Sequence, residues 1–170
     1  MKKNLCIMLI AAAGIFSLAS CDDDDNHRLP TPVPTQYTEA LKQVFPDAKN
    51  VKWETDGAYQ VAEFMTKNGQ VETEAWFDAE AKHVMTANDY GRDLFMIPAA
   101  VNAGFEKTPY GAAPWVVDDI DEYIRTADTV YVIEVDAKDQ KDVHLFFDPQ
   151  GNLLKESTDY TPDFRPDTKI

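Results

Sequence analysis

The segment Ala75–Tyr90, AWFDAEAKHVMTANDY, is answered seventy positions later by Leu145–Tyr160, LFFDPQGNLLKESTDY. Phe77, Asp78, Asp89 and Tyr90 recur as Phe147, Asp148, Asp159 and Tyr160 without a gap, and Trp76 stands where Phe146 does. Upstream, YQVAEF at Tyr59–Phe64 is answered by VYVIEV at Val130–Val135, one residue out of that register. A repeat of this length is the signature of one supersecondary unit used twice.

Working outward, a first unit spans 35–92. Thr35 is placed to cap a helix in which Tyr37, Ala40, Leu41, Val44 and Phe45 share one side. Phe45-Pro46 ends it, because a residue before proline avoids the helical region. Four strands are expected next: Asn50–Thr55, Tyr59–Thr66, Val71–Phe77 and Lys82 to about Ala87. Asp56-Gly57 and Asn68-Gly69 supply the turns between the first three. Within Val71–Phe77, Glu72, Glu74 and Trp76 alternate with Val71, Thr73, Ala75 and Phe77. The helix is therefore expected on the Phe77 side, where no charge lies.

A second unit spans 93–160. Pro98 opens a helix in its first turn, with Ile97, Val101 and Phe105 on one face. Gly104 weakens that helix, so it needs tertiary support. Strands follow at Trp115–Tyr123 and Thr129–Asp136, then around Val143, Leu145 and Phe147, then from Leu153. In the first of these, Val117, Asp119, Asp121 and Tyr123 alternate with Val116, Asp118, Ile120 and Glu122. The segment 161–170, with two prolines, reads as a loose tail. The expected fold class is α+β: two tandem α-β-β-β-β repeats forming an antiparallel sheet, with helices packed on one face and the other face open.

The N-terminus reads as an address. Lys2 and Lys3 precede the apolar run Leu5–Leu18, then Ser20 and Cys21. This resembles a bacterial lipoprotein signal peptide over 1–20, with lipid attached at Cys21. Losing two lysines and no acid would take the net charge from −14 to −16. Residues 21–34, with Asp22–Asp25 and three prolines, read as an acidic tether. The expected location is the cell envelope, as an outer-membrane lipoprotein, periplasmic or surface-exposed, held to the membrane by the lipid on Cys21. Cys6 and Cys21 both precede the folded region, which excludes a disulfide within it. The strong acidity and the lack of a Lys/Arg cluster argue against nucleic acid as a partner.

Catalytic chemistry is thin. His27, His83 and His144 are scattered, with no zinc-ligand spacing, and Ser157, the one serine left after residue 20, lacks a nucleophile elbow. No glycine-rich phosphate loop occurs, and no cofactor is expected. Glu72 with Glu74, and the run Asp118, Asp119, Asp121 and Glu122, have the composition of a glycosidase pair or a calcium site. On alternating strands they read first as a solvated face. The remaining candidate is a binding surface: Trp76, Phe146 and Tyr131 are expected to point away from the Phe77/Phe147 side, with His83 beside Trp76 across the turn. Exposed aromatics there suit a protein partner, and the competing expectation is that they cover one another.

Over 35–160 the order of elements resembles the PepSY-like domains of bacterial envelope proteins, whose fold is compared with that of the β-lactamase-inhibitor proteins. The resemblance is carried by helices ending near Phe45 and Phe105, strands with Val51 and Trp53 or Val117 and Ile120, and strands with Tyr59 and Val61 or Tyr131 and Val132. Trp76-Phe77-Asp78, Phe146-Phe147-Asp148 and the helix-opening Ile97-Pro98-Ala99-Ala100-Val101 complete it. It implies no catalysis, and it implies relatives that inhibit or shield secreted hydrolases. The expected function is a non-catalytic protein- or peptide-binding module, an inhibitor of a secreted hydrolase among the options. The alternatives are an acid-pair hydrolase of envelope glycans and a structural subunit of a surface complex.

Overall fold

The computed structural model describes residues 33–158 and 164–170. Cys21, His27, the signal segment, Asp159 and Tyr160 lie outside the described residues. Helix α1 (Thr35–Val44) precedes strands β1 (Lys52–Asp56), β2 (Tyr59–Thr66), β3 (Val71–Phe77) and β4 (His83–Asp89). Helix α2 (Ala99–Phe105) precedes β5 (Val116–Arg125), β6 (Thr129–Asp136), β7 (Val143–Phe147) and β8 (Leu153–Ser157). The strands form one eight-stranded antiparallel sheet in chain order, β4 pairing directly with β5. The fold class is therefore α+β, with two helices on an open antiparallel sheet.

Both helices lie on the face that carries Phe77 and Phe147. Tyr37 and Leu41 of α1 pack with Ala62, Phe64, Ala75 and Phe77. Val101 and Phe105 of α2 pack with Ile120, Ile133, Leu145 and Phe147. Each helix starts after a proline in extended conformation, Pro34 (φ −57°, ψ 141°) and Pro98 (φ −56°, ψ 137°). Thr35 is thus the first helical residue and caps nothing, and Pro98 stands just outside its helix. Gly104 lets α2 lie directly on the β7–β8 turn: a Cβ there would overlap the carbonyl of Gly151. The glycine that weakens the helix in isolation is what admits its tertiary support.

The other face is curled. Glu54 on β1 and His144 on β7 line the same cleft. In a flat sheet, six strand spacings would hold them roughly 29 Å apart. Two bulges assist the curl, between Trp76 and Phe77 and between Phe146 and Phe147. Each is followed by the same turn. Asp78 Oδ1 accepts the N–H groups of Glu80 and Lys82, and Asp148 Oδ1 accepts those of Gln150 and Asn152.

Several expectations need correction. Tyr131 pairs directly with Phe147, so it lies on the helix-covered face, 5 % exposed. His83 is carried by the first bulge opposite Phe77 and away from Trp76. Its ring lies 5.6 Å from Phe77 and 6.0 Å from Phe45, and its Nε2 meets Thr86 Oγ1 at 3.0 Å. Burial lowers its pKa. A third bulge, between Val117 and Asp119, puts Val117 on the face of Ile120 and leaves Asp119, Asp121 and Tyr123 on the curled face. β1 begins two residues later than expected, β4 runs on to Asp89, and β5 reaches Arg125. The described part of the tail is not loose: Phe164 is 6 % exposed.

Candidate functional site

The curled face has an apolar floor and acidic walls. The floor is Val61, Trp76, Met85, Val130, Val132 and Phe146, all buried, with Phe164 of the tail against them. Trp76 and Phe146 do point away from Phe77 and Phe147, but at 5 % and 3 % exposure they are not free surface. Tyr59, the diagonal neighbour of Trp76 on β2, places its ring 5.8 Å from the Trp76 ring. Mutual cover, the competing expectation, is what these aromatics do.

Above the floor lies a cleft of about 310 Å³. Glu54, Asp56, Glu74, Asp119, Asp121 and Glu134 line it, and among the described residues no lysine or arginine does. The strand register makes the clustering unavoidable. Glu63 pairs with Glu74, Glu72 with Asp89, Asp89 with Asp121, and Asp119 with Glu134, all on this face. Like charges directly opposite one another destabilise a sheet. Among the described residues only the first pair has an ion pair to a lysine or arginine, since Lys52 Nζ lies 2.7 Å from Glu63 Oε1.

The carboxyl groups register this crowding. Burial, then the Asp119 charge, pushes Asp121 up to about 7. Burial, then Asp89, pushes Asp119 up to about 6. Burial raises Glu74 as well, opposed by the Trp76 indole N–H, which donates to Glu74 Oε2 at 2.9 Å. Tyr123 donates to Asp121 Oδ2 at 3.1 Å, and burial raises its own pKa further. His144 Nε2 lies 3.4 Å from Glu134 Oε2, while its buried Nδ1 has no hydrogen-bond partner among the described residues.

Asp89, Asp119 and Asp121 each offer an oxygen within 4.8 Å of the others. That would fill at most half of a calcium shell of roughly 6–8 oxygens. The expectation that Asp119 and Asp121 form a solvated strand face fails, because the curl of the sheet makes their face the wall of the cleft. Asp118 stays outside and pairs with Arg92, and Glu122 faces the helices, accepting hydrogen bonds from Asn88, Tyr90 and Tyr131. Glu134, His144, Tyr123 and the tail escaped the sequence reading. Glu134 was accessible to it, as the cross-strand neighbour of an acid-rich strand.

Residues 57–155 match the family described as "Putative beta-lactamase-inhibitor-like, PepSY-like". Among solved structures, a BLIP-like protein from Bacteroides fragilis is 32% identical with a TM-score of 0.70, over 81% of this chain and 96% of its own. A DUF2874 family protein from Bacteroides ovatus is 31% identical with a TM-score of 0.69, over 80% of this chain and 95% of its own. A structure described as "putative periplasmic proteins", from Bacteroides eggerthii, is 26% identical with a TM-score of 0.66, over 75% and 89%. No curated protein matches. Among the described residues no helix is long and apolar enough to cross a membrane.

Proposed function

We propose, from the premise that this chain belongs to the PepSY-like, β-lactamase-inhibitor-like family, that its curled sheet face is a non-catalytic docking surface for a cationic protein or peptide. The observation that carries this reading is the set of cross-strand acid pairs around Asp89, Asp119 and Asp121, which have no lysine or arginine partner among the described residues. Such an arrangement lowers stability, and chains tolerate that cost chiefly where function needs the charge. A cationic partner supplies the missing counter-charge. Its apolar contacts would reach the rim of the Trp76/Phe146 floor. A secreted hydrolase with a basic surface is the kind of partner that the inhibitor-like fold suggests. Capture of envelope proteins should be reversed by salt and lost in the variant Asp119→Asn/Asp121→Asn/Glu134→Gln. Undiminished capture by that variant would refute the reading.

An acid-pair hydrolase is supported less well. Asp89, Asp119 and Asp121 place oxygens within 4.8 Å of one another. Glycosidase carboxyl groups stand about 5–5.5 Å apart, or about 6.5–9.5 Å, to leave room for the reacting atoms. The place we assign the protein is the envelope, as an outer-membrane lipoprotein held by lipid on Cys21. Cys21→Ser should release it from membranes, and retention would contradict the assignment. We further read the chain as two copies of one α-β-β-β-β unit. The matched bulges and Asp78/Asp148 turns support this, and halves that fail to superimpose would end it.

A further inference from the structure

Part of the chain already sits on the curled face. Phe164 stacks on Tyr123 of β5 at 4.2 Å, with the rings 24° from parallel. It lies 6.4 Å from Phe146 of β7 and 5.0 Å from the Arg125 guanidinium. The next residue, Arg165, grips Asp56 of β1 with two parallel hydrogen bonds, Nη2 to Oδ1 at 2.6 Å and Nε to Oδ2 at 3.0 Å. Farther on, Arg125 donates to the Thr168 carbonyl, and a turn closes through Thr168 N to Arg165 O at 3.0 Å. Two adjacent side chains thus reach opposite sides of the curl. One uses ring stacking, and the other a bidentate guanidinium–carboxylate pair, the geometry that sets arginine apart from lysine.

The segment neutralises one wall only. Asp56 is matched by Arg165, whereas Asp119 and Asp121 keep no cationic partner among the described residues. The seat is therefore built for an aromatic ring beside a guanidinium, with further acidic wall left to engage a longer ligand.

We propose that Phe164–Ile170 is a self-ligand of the acidic cleft, and that the partner of this face presents an aromatic residue followed directly by arginine in the same seat. The inference rests on the docking function proposed above and narrows it to a chemical motif. Partner binding then competes with the chain's own terminus. A tethered segment acts at an effective concentration in the millimolar range, roughly, so only a ligand that also engages Asp119 and Asp121 displaces it at low concentration.

The test is titration with the heptapeptide Phe164–Ile170 itself, followed through the indole N–H resonance of Trp76, which faces Glu74 in the cleft. The chain ending at Thr158 should bind this peptide at least about tenfold more tightly than the full chain. A peptide carrying Arg165→Glu should bind at least about tenfold more weakly than the parent. The full chain with Phe164→Ala/Arg165→Glu provides a second receptor, its own segment released without truncation. Failure of both folded receptors to bind the parent peptide, or equal binding of the Arg165→Glu peptide, would overturn the proposal. Loss of the folded state in both would overturn it too, since a ligand that the fold requires is not displaceable. If the peptide fails while partner capture still depends on Asp119, Asp121 and Glu134, the self-ligand falls and the docking function stands.

Discussion

Replacing Asp121 by asparagine should make the protein more stable at neutral pH. The Asp121 carboxyl is raised from 3.8 to about 7, by burial and then by the Asp119 charge. A carboxyl with a raised pKa in the folded state favours folding fully below its unfolded pKa, and that contribution is lost as pH rises through the folded pKa. The folded chain therefore loses stability at this site between about pH 4 and pH 7. At about 1.4 kcal/mol per pH unit the limit is about 4 kcal/mol. Asp121 is partly solvated and shares its repulsion with Asp119, so on the order of 1–2 kcal/mol should remain. Asparagine keeps an oxygen to accept the Tyr123 hydroxyl, so the hydrogen bond survives the change. Urea denaturation should place Asp121→Asn about 1–2 kcal/mol above the parent near pH 7.5, with the gap closing near pH 4. A variant that is less stable at pH 7.5, or equally displaced at both pH values, would refute the electrostatic reading of the cleft.

Salt gives an independent check: about 0.5 M NaCl should raise the melting temperature of the parent more than that of Asp119→Asn/Asp121→Asn, because the repulsion it screens is absent from the variant. Gly104→Ala should cost roughly 2 kcal/mol or more in denaturant titrations, since its Cβ would overlap the Gly151 carbonyl and lift α2 off the β7–β8 turn. Glu122→Ala should cost about 2–3 kcal/mol by the same measurement, because Asn88, Tyr90 and Tyr131 all lose their acceptor on the part-buried helix side.

The elements legible in the sequence are those set by local rules. β2 and β3 came out residue for residue, because alternation and Asn68-Gly69 fix both strands and their register. The helix-covered face followed from the uncharged side of Val71–Phe77. What stayed hidden depends on register between distant strands. Tyr131 was assigned the wrong face because the β6–β7 loop, and not local alternation, sets it opposite Phe147. His83 and Val117 moved because single-residue bulges invert the alternation on which face assignments rest. The acidic residues were visible one strand at a time, as solvated positions. Only the pairing of β3 with β4, β4 with β5 and β5 with β6 reveals that they oppose one another. The tail could not be placed at all, since Arg165 finds Asp56 across a separation of 109 residues.

The measurement that bears most directly on the docking face sets partner affinity beside stability in one variant. Asp119→Asn/Asp121→Asn/Glu134→Gln should melt higher than the parent and yet bind a cationic envelope protein at least about tenfold more weakly. Opposite signs for stability and binding are the signature of charge kept for a partner. A variant that binds as tightly as the parent, or that binds less only because it melts lower, would contradict the account.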